Sequence, residues 1–316
     1  MEALCLALTL HSPRTHRLDQ LATHAAPGFG LALETDEGTR RLTWEKRRLS
    51  LLRDGIPCRD YSSYLADAPP VVWLSNRDLT LITGAAEERR RYLDFLGVQW
   101  HPAYRRALQA YRKALRSRNA LLRQPRRDTS LLRSYAGILC QHGEVLLTLR
   151  QQLLRLLQPH IVHHHRAISG RTEEVQLEYR PSTPLPLGEA LNDAARLEAD
   201  LQAGYTTVGP HRDDMVLTIS GASASDFASE GQQRTLATAL LLAQSGLLQA
   251  ETGRTPLLLI DDIFGELDPL RRKALMALLP PDSQTFITTT HLDWLGDSRL
   301  PLPVCRVANG KVQPPQ

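Results

Sequence analysis

Residues 257–269, LLLIDDIFGELDP, hold the side chains best spaced for chemistry. Four apolar residues run into adjacent carboxylates, Asp261 and Asp262, and Glu266 and Asp268 follow. An apolar run without alternation predicts a strand buried on both faces, as in a parallel sheet. Such sheets bind ligands outside the carboxyl ends of their strands, where both aspartates sit. There Asp261 would hold Mg²⁺ directly or through water. Asp262 would orient or deprotonate a water attacking a phosphate. The competing reading is a capping pair that opens a helix.

Three further groups are candidates. In DFASEGQQRTLATALLLAQ, Ser229 and Gly231 open a long apolar helix whose amides and positive dipole end suit an anion. An ordinary serine N-cap explains the same residues. QTFITTTHLDW predicts a strand ending in His291, which would contact a terminal phosphate or be a plain surface or core histidine. His160, His163, His164 and His165 suggest metal, but no acid or cysteine lies at ligand spacing beside them.

The elements around these groups read as α/β with a helical insertion. Residues 1–10 have helical character. Residues 29–34, 40–44 and 47–52 predict a small antiparallel sheet with a turn at RDGIP, and PPVVWLS (69–75) a short buried strand. A helix starts at Pro102, with Tyr104, Leu108, Tyr111, Leu115 and Leu122 on one stripe. After QPRRDTS a second helix starts at Leu131, with Leu131, Tyr135, Ile138, Val145, Leu149 and Leu156 on its stripe. The two stripes predict the seam of an antiparallel pair, with arginines projecting outward. Residues 179–191 give a strand end, a Pro-rich linker and a helix. From Tyr205 the order is strand, helix, strand, helix, strand.

The chain has 316 residues, 42% of them hydrophobic, enough for one large or two modest domains. No segment reads as membrane-spanning, and the N-terminus lacks a signal peptide's basic start. Four scattered cysteines without a CxxC predict a reducing, cytoplasmic setting. The net charge of +4 hides an asymmetry: residues 85–127 hold twelve Lys/Arg against three acids, a net +9. Nearly all are arginine, which forks onto phosphate. That window is either a nucleic-acid surface or a solvated helix face.

The order Ser-x-Gly-Gln, helix, apolar strand ending in Asp-Asp, GELD and strand ending in histidine resembles the second half of an ABC-type ATPase head. The resemblance makes Ser229, Gly231 and Gln232 the signature motif, with Glu230 in place of the commoner glycine. Asp261 becomes the Walker B magnesium residue, and Asp262 takes the place of the usual catalytic glutamate. Asp268 becomes the D-loop aspartate and His291 the switch histidine. Two such heads sandwich ATP, so the resemblance implies a homodimer.

VGPHRDD (208–214), RRRYLD (89–94), YRKALRSRNALLR (111–123) and SPRTHRLDQL (12–21) carry the resemblance closer, to the RecF family of recombination mediators. It implies an α/β ABC-type head, residues 1–97 and 201–316, with an inserted helical lobe, 98–200, forming a short antiparallel coiled-coil arm. It implies ATP, Mg²⁺, binding to single-stranded and gapped duplex DNA, and RecO and RecR as partners. Arg105, Arg112, Arg116 and Arg123, clustered on the first arm helix, are the expected phosphate contacts. His211, Arg212 and Asp213 suggest an interface role without a mechanism.

One part of the pattern is missing. No GxxxxGK[ST] occurs, and the only Gly-Lys is Gly310-Lys311. The family's phosphate loop precedes a helix reading roughly LLEA, and this chain begins MEAL. The expectation is that the first strand and phosphate loop lie upstream of an assigned start, leaving a vacancy beside the Asp-Asp strand. The 316 residues alone would then bind ATP weakly and hydrolyse none. The alternative is a DNA-binding adaptor without nucleotide control. A transporter subunit has no use for an arginine-rich helical pair, and a structural-maintenance protein needs a far longer coiled coil.

Overall fold

Helix α1 (Glu2–Thr9) lays Cys5 and Leu8 against Val71, Leu257 and Leu259. That contact fixes the chain's first turns to its central sheet. The fold is seen in a computed structural model that describes all residues except 16, 126–127, 266, 291–302, 309–310 and 314–316. The expectations for His291 and Glu266 lie outside the described residues.

After α1 come β1 (Gly28–Thr35), β2 (Gly38–Glu45), β3 (Arg48–Arg53) and β4 (Ile56–Pro57), an antiparallel sheet in hairpin order. Its turns follow from local chemistry. Lys46 and Arg47 both have positive φ, as do Asp54 and Gly55, the backbone that matches the right-handed twist of paired strands. Next are α2 (Tyr61–Leu65), β5 (Val71–Ser75), α3 (Thr80–Thr83), α4 (Ala86–Trp100), α5 (Pro102–Leu122) and α6 (Thr129–Ser169). Then follow β6 (Val175–Arg180), α7 (Leu187–Asn192), α8 (Ala194–Ala203), β7 (Asp214–Ile219), β8 (Ala222–Ser223), α9 (Ala224–Phe227) and α10 (Glu230–Thr252). The last described elements are β9 (Leu257–Asp261), α11 (Pro269–Leu278), β10 (Thr285–Thr288), β11 (Arg306–Ala308) and β12 (Lys311–Gln313).

β9 is the middle of a parallel sheet in the order β10-β9-β5. Leu257 to Ile260 are buried, as the unbroken apolar run requires. Both sides of β9 are therefore occupied, so the vacancy expected beside the Asp-Asp strand is not there. The outer edge of β5 is covered as well. The Gln99 amide of α4 receives the Val71 N–H at 2.7 Å and donates to the Val71 carbonyl at 3.2 Å. A side-chain amide thus replaces a neighbouring strand.

α5 and α6 pack along each other, joined by a break that Asp128 closes by capping α6 at the Leu131 N–H, 3.0 Å. Tyr104, Leu108, Tyr111 and Leu122 are buried as expected. On α6 the expected stripe is right for Leu149, which is buried, and for Tyr135 and Leu156, which pack against the core, but one residue early elsewhere. Leu132, Leu139, Leu146 and Leu153 are buried, whereas Leu131, Ile138 and Val145 are 40%, 39% and 37% exposed. The second row of the seam is Ala136, Gly143 and Arg150, small or charged residues that a count of large apolar side chains passes over. A Cβ at Gly143 would press on the Leu187 side chain, so a larger residue there would have to push α7 aside or repack Leu187. At 41 residues, α6 is about 60 Å long. It also packs against α10, so one helix contacts both α5 and the helix that precedes the central strand β9.

Where the arm meets the core, a charged group is fully desolvated. Arg150, 2% exposed, donates to the Asp94 carboxylate (2.8 Å), the Tyr104 hydroxyl (2.9 Å), the Tyr179 hydroxyl (3.3 Å) and the Pro210 carbonyl (2.7 Å). Asp94 also accepts from Tyr104 (2.6 Å) and Arg112 (2.8 Å). Removing the Asp94 carboxylate would leave the buried Arg150 charge with neutral acceptors alone, at a cost of about 3–5 kcal/mol. Asp94→Asn is therefore expected to lower urea stability by that amount. Arg91→Ala, which breaks an exposed pair with Glu88, is expected to change it by less than about 1 kcal/mol. Equal losses in the two variants would contradict this assignment.

Candidate functional site

The three parallel strands end in one line. The register aligns Ser75 of β5 with Asp261 of β9, and Asp261 with Thr288 of β10. The Thr288 hydroxyl donates to Asp261 Oδ1 at 2.7 Å, and Arg14 Nη2 lies 3.4 Å from Oδ2. Asp262 follows with φ of 54°, a left-handed conformation that aspartate tolerates, and its N–H donates to the Thr288 carbonyl at 3.1 Å. The pair does not open a helix: α11 begins at Pro269 and is capped by Asp268. Asp261 is a hard oxygen donor beside a hydroxyl, a set that fits Mg²⁺. Beside this line Asp78, half-buried, accepts from the Ser75 N–H, and desolvation pushes its carboxyl up to about 7.

The residues at the start of α10 form a second group. Ser229 and Gln232 cap each other's backbone N–H groups, 3.3 and 2.9 Å, so the ordinary N-cap role of Ser229 is realised. Gln232 also donates to Glu173 at 2.9 Å, tying the helix start to the chain that follows α6. A Cβ at Gly231 would meet Arg271 Nη2 at 2.9 Å. Arg271 in turn bonds Thr235 Oγ1 at 2.9 Å and pairs with Asp268, whose carboxyl is held below its usual range chiefly by the Arg271 backbone N–H. Ser229, Gly231, Gln232 and Asp268 therefore meet around Arg271, while Asp261 and Asp262 sit with Thr288 and Arg14 at the sheet end. Arg14, Thr288, Arg271 and Glu173 were not singled out in the sequence. Arg14 and Thr288 lay inside quoted motifs, SPRTHRLDQL and QTFITTTHLDW.

The arm arginines divide into two sets. Arg105, Arg112, Arg116 and Arg123 are spaced by seven, four and seven residues, so on a helix they point within about 20° of one direction. Arg112, Arg116 and Arg123 are exposed, while Arg105 is half-buried and donates to the Val98 carbonyl at 2.8 Å. Arg118, on the opposite side, does not project outward. It is 1% exposed, pairs with Asp200 at 2.6 Å and donates to Thr206 at 2.7 Å. Arg89 is likewise structural, forking onto Asp214 at 2.7 and 2.9 Å. Much of the +9 window thus holds the fold together.

Of the four candidate histidines on α6, two pack against neighbouring groups. His160 lies over Gly246 of α10, and His165 is buried 3.5 Å from Glu173. Among the described residues no group of three or more His, Cys, Asp or Glu could hold a metal. The loop 208–214 is a structural hub. A Cβ at Gly209, φ 120°, would meet the Tyr111 hydroxyl at 2.5 Å. The His211 Nε2–H donates to the Thr206 carbonyl at 3.0 Å, which leaves Nδ1 to accept from Tyr111 at 2.7 Å. Arg212 stacks on Tyr205, and Asp213 accepts from Tyr179 and the Ser182 N–H, both at 2.6 Å.

The protein named DNA replication and repair protein RecF from Cyanothece sp. (strain PCC 7425 / ATCC 29141) is 36% identical to this chain over 322 residues, covering 95% of the chain and 85% of the relative. The chain belongs to the RecF family. The protein of that name from Anaeromyxobacter sp. (strain Fw109-5) is 37% identical over 306 residues, 92% of the chain and 82% of the relative. The solved structure of the recombination mediator protein RecF-ATPrS in the RecFOR pathway superposes with a TM-score of 0.85 at 26% identity, covering 99% of this chain and 87% of that one. No protein-family profile matches the chain. The fold is accordingly the mixed α/β head of an ABC-type ATPase, carrying long helices.

Burial lowers the His211 imidazole to about 4 and the His164 imidazole, on α6, to about 4 as well. Each group stays neutral in the fold at a pH where the unfolded chain would protonate it. Their contribution is complete above about pH 6.5 and declines as pH falls toward 4, by up to roughly 3 kcal/mol each. His211→Gln is expected to weaken the fall in urea stability between pH 7 and pH 5. A fall as steep in the variant as in the wild type would contradict the role assigned to His211.

Proposed function

We propose that this protein is a recombination mediator in DNA replication and repair, binding DNA along the arm and working as an ATP-gated homodimer. The observation that carries the reading is the sequence relation to RecF proteins over 95% of the chain. Residues 1–97 and 201–316 are read as the head and 98–200 as the arm. RecO and RecR are the proposed partners, in keeping with the RecFOR pathway of the solved relative. Four unpaired cysteines suit a reducing cytoplasm.

The DNA track is the row Arg105, Arg112, Arg116 and Arg123, about 27 Å long on α5. Arginines so spaced would follow a phosphate backbone without reading bases, which suits single-stranded and gapped duplex DNA of any sequence.

ATP is assigned to the head because the solved relative holds it. Asp261 would hold Mg²⁺, which on binding neutralises phosphate charge. For that, Arg14 has to leave the carboxylate. Asp262 and His291 are the proposed catalytic groups. Ser229, Gly231 and Gln232, at the positive end of α10, would face the nucleotide of a second copy, with Asp268 beside them. Because this group sits apart from Asp261, a complete site is expected only when two copies meet.

A second reading, an adaptor that binds DNA without nucleotide control, is favoured by the Arg14 contact to Asp261. DNA affinity measured with and without ATP separates the two: a change supports the gated dimer, and no change supports the adaptor. On either reading, Arg116→Glu with Arg123→Glu is expected to weaken DNA binding for all sequences. Two lost phosphate contacts would flatten the slope of log K against log salt by about 2. An unchanged slope would rule this surface out.

A further inference from the structure

A cleft of about 720 Å³ opens where the end of α1 meets α2, α4 and α5. Five arginines against two carboxylates line it, a net +3. Three of the guanidiniums are matched: Arg112 and Arg150 share Asp94, and Arg91 pairs with Glu87 and Glu88. Arg90 and Arg105 are not. Arg90 Nη1 donates to the Asp213 carbonyl at 2.8 Å, and Arg105 donates Nε and Nη2 to the Val98 carbonyl at 3.3 and 2.8 Å. Neutral carbonyls orient these side chains without cancelling their charge, and each guanidinium has five N–H groups to offer. Burial lowers the pKa of both, as expected for cations short of water and counter-ions.

The lining is also aromatic. The Tyr61 ring is 46% exposed, and Phe95 lies beside His11 with ring centroids 5.3 Å apart. Guanidiniums beside one exposed ring, Tyr61, and the half-buried Phe95 match the two features of an unpaired nucleic-acid strand, its phosphates and its bare base faces. The cleft is the size of a small-ligand site, with room for a short stretch of one strand and not for a duplex. Arg105 and Arg112 belong both to its wall and to the α5 row, so the cleft is continuous with the proposed DNA track.

We infer that this cleft binds the unpaired strand where a duplex gives way to single-stranded DNA, through Arg90, Arg105 and Tyr61. The inference rests on the reading of α5 as a DNA track.

The test uses the full chain, a blunt duplex, and the same duplex with an oligothymidylate tail, compared by fluorescence anisotropy. The wild type is expected to bind the tailed duplex about fivefold or more tightly than the blunt one, since stacking one base is worth at least that factor. Tyr61→Ala, which removes an exposed ring, and Arg90→Gln are each expected to reduce that preference. Reversal at Arg116 and Arg123 is expected to lower both affinities together. Equal wild-type affinity for the two DNAs would overturn the cleft assignment and leave the α5 track standing. A preference that survives both cleft variants would do the same. Absence of DNA binding altogether would overturn both readings. Displacement of the tail by a polyglutamate peptide, but not by free oligothymidylate, would also overturn the proposal and mark the cleft as a dock for an acidic protein segment.

Discussion

Arg150 is the point on which the architecture depends. A guanidinium buried to 2% exposure persists only if its donors are satisfied, and its four bonds reach α4, α5, β6 and the 208–214 loop from α6. A buried network of this kind adds little net stability over apolar packing, but it penalises every misalignment. The network thereby ties α6 to α4, α5, β6 and the 208–214 loop.

That constraint explains why the positive window between residues 85 and 127 is only partly available to a ligand. Arg89, Arg112 and Arg118 are bound to Asp214, Asp94 and Asp200, two of them inward of the arm's outer face. The remainder of α5 presents Arg116 and Arg123 to solvent. Helix α6 carries the same rigidity downward. It packs on α10, and the segment after it places Glu173 on Gln232, at the helix start that the proposed site uses. A movement of the arm would therefore be felt at Ser229 and Gly231.

Much of this was legible in the sequence. LLLID is a buried central strand because nothing in it alternates, and RDGIP is a turn because Asp54-Gly55 accepts positive φ. Half of the α6 stripe, Leu131, Ile138 and Val145, was placed one residue early because the seam there includes Ala136, Gly143 and Arg150, which carry no hydrophobic signal. The sheet proved closed around β9 because strands distant in sequence, β5 and β10, come to its two sides. The link between Arg14 and Asp261 spans nearly the whole chain, and no local pattern encodes it. His211 was visible in GPHRDD, but its role depends on Tyr111, 100 residues away.

The central claim is that DNA lies along the face of α5 that carries Arg105, Arg112, Arg116 and Arg123. Its most direct test is photocrosslinking from backbone-tethered aryl azides on a gapped duplex to the full chain, followed by peptide mapping. The account predicts crosslinked peptides from residues 105–123. Crosslinks confined to the β1–β4 sheet or to α10 and α11, with none on α5, would contradict it.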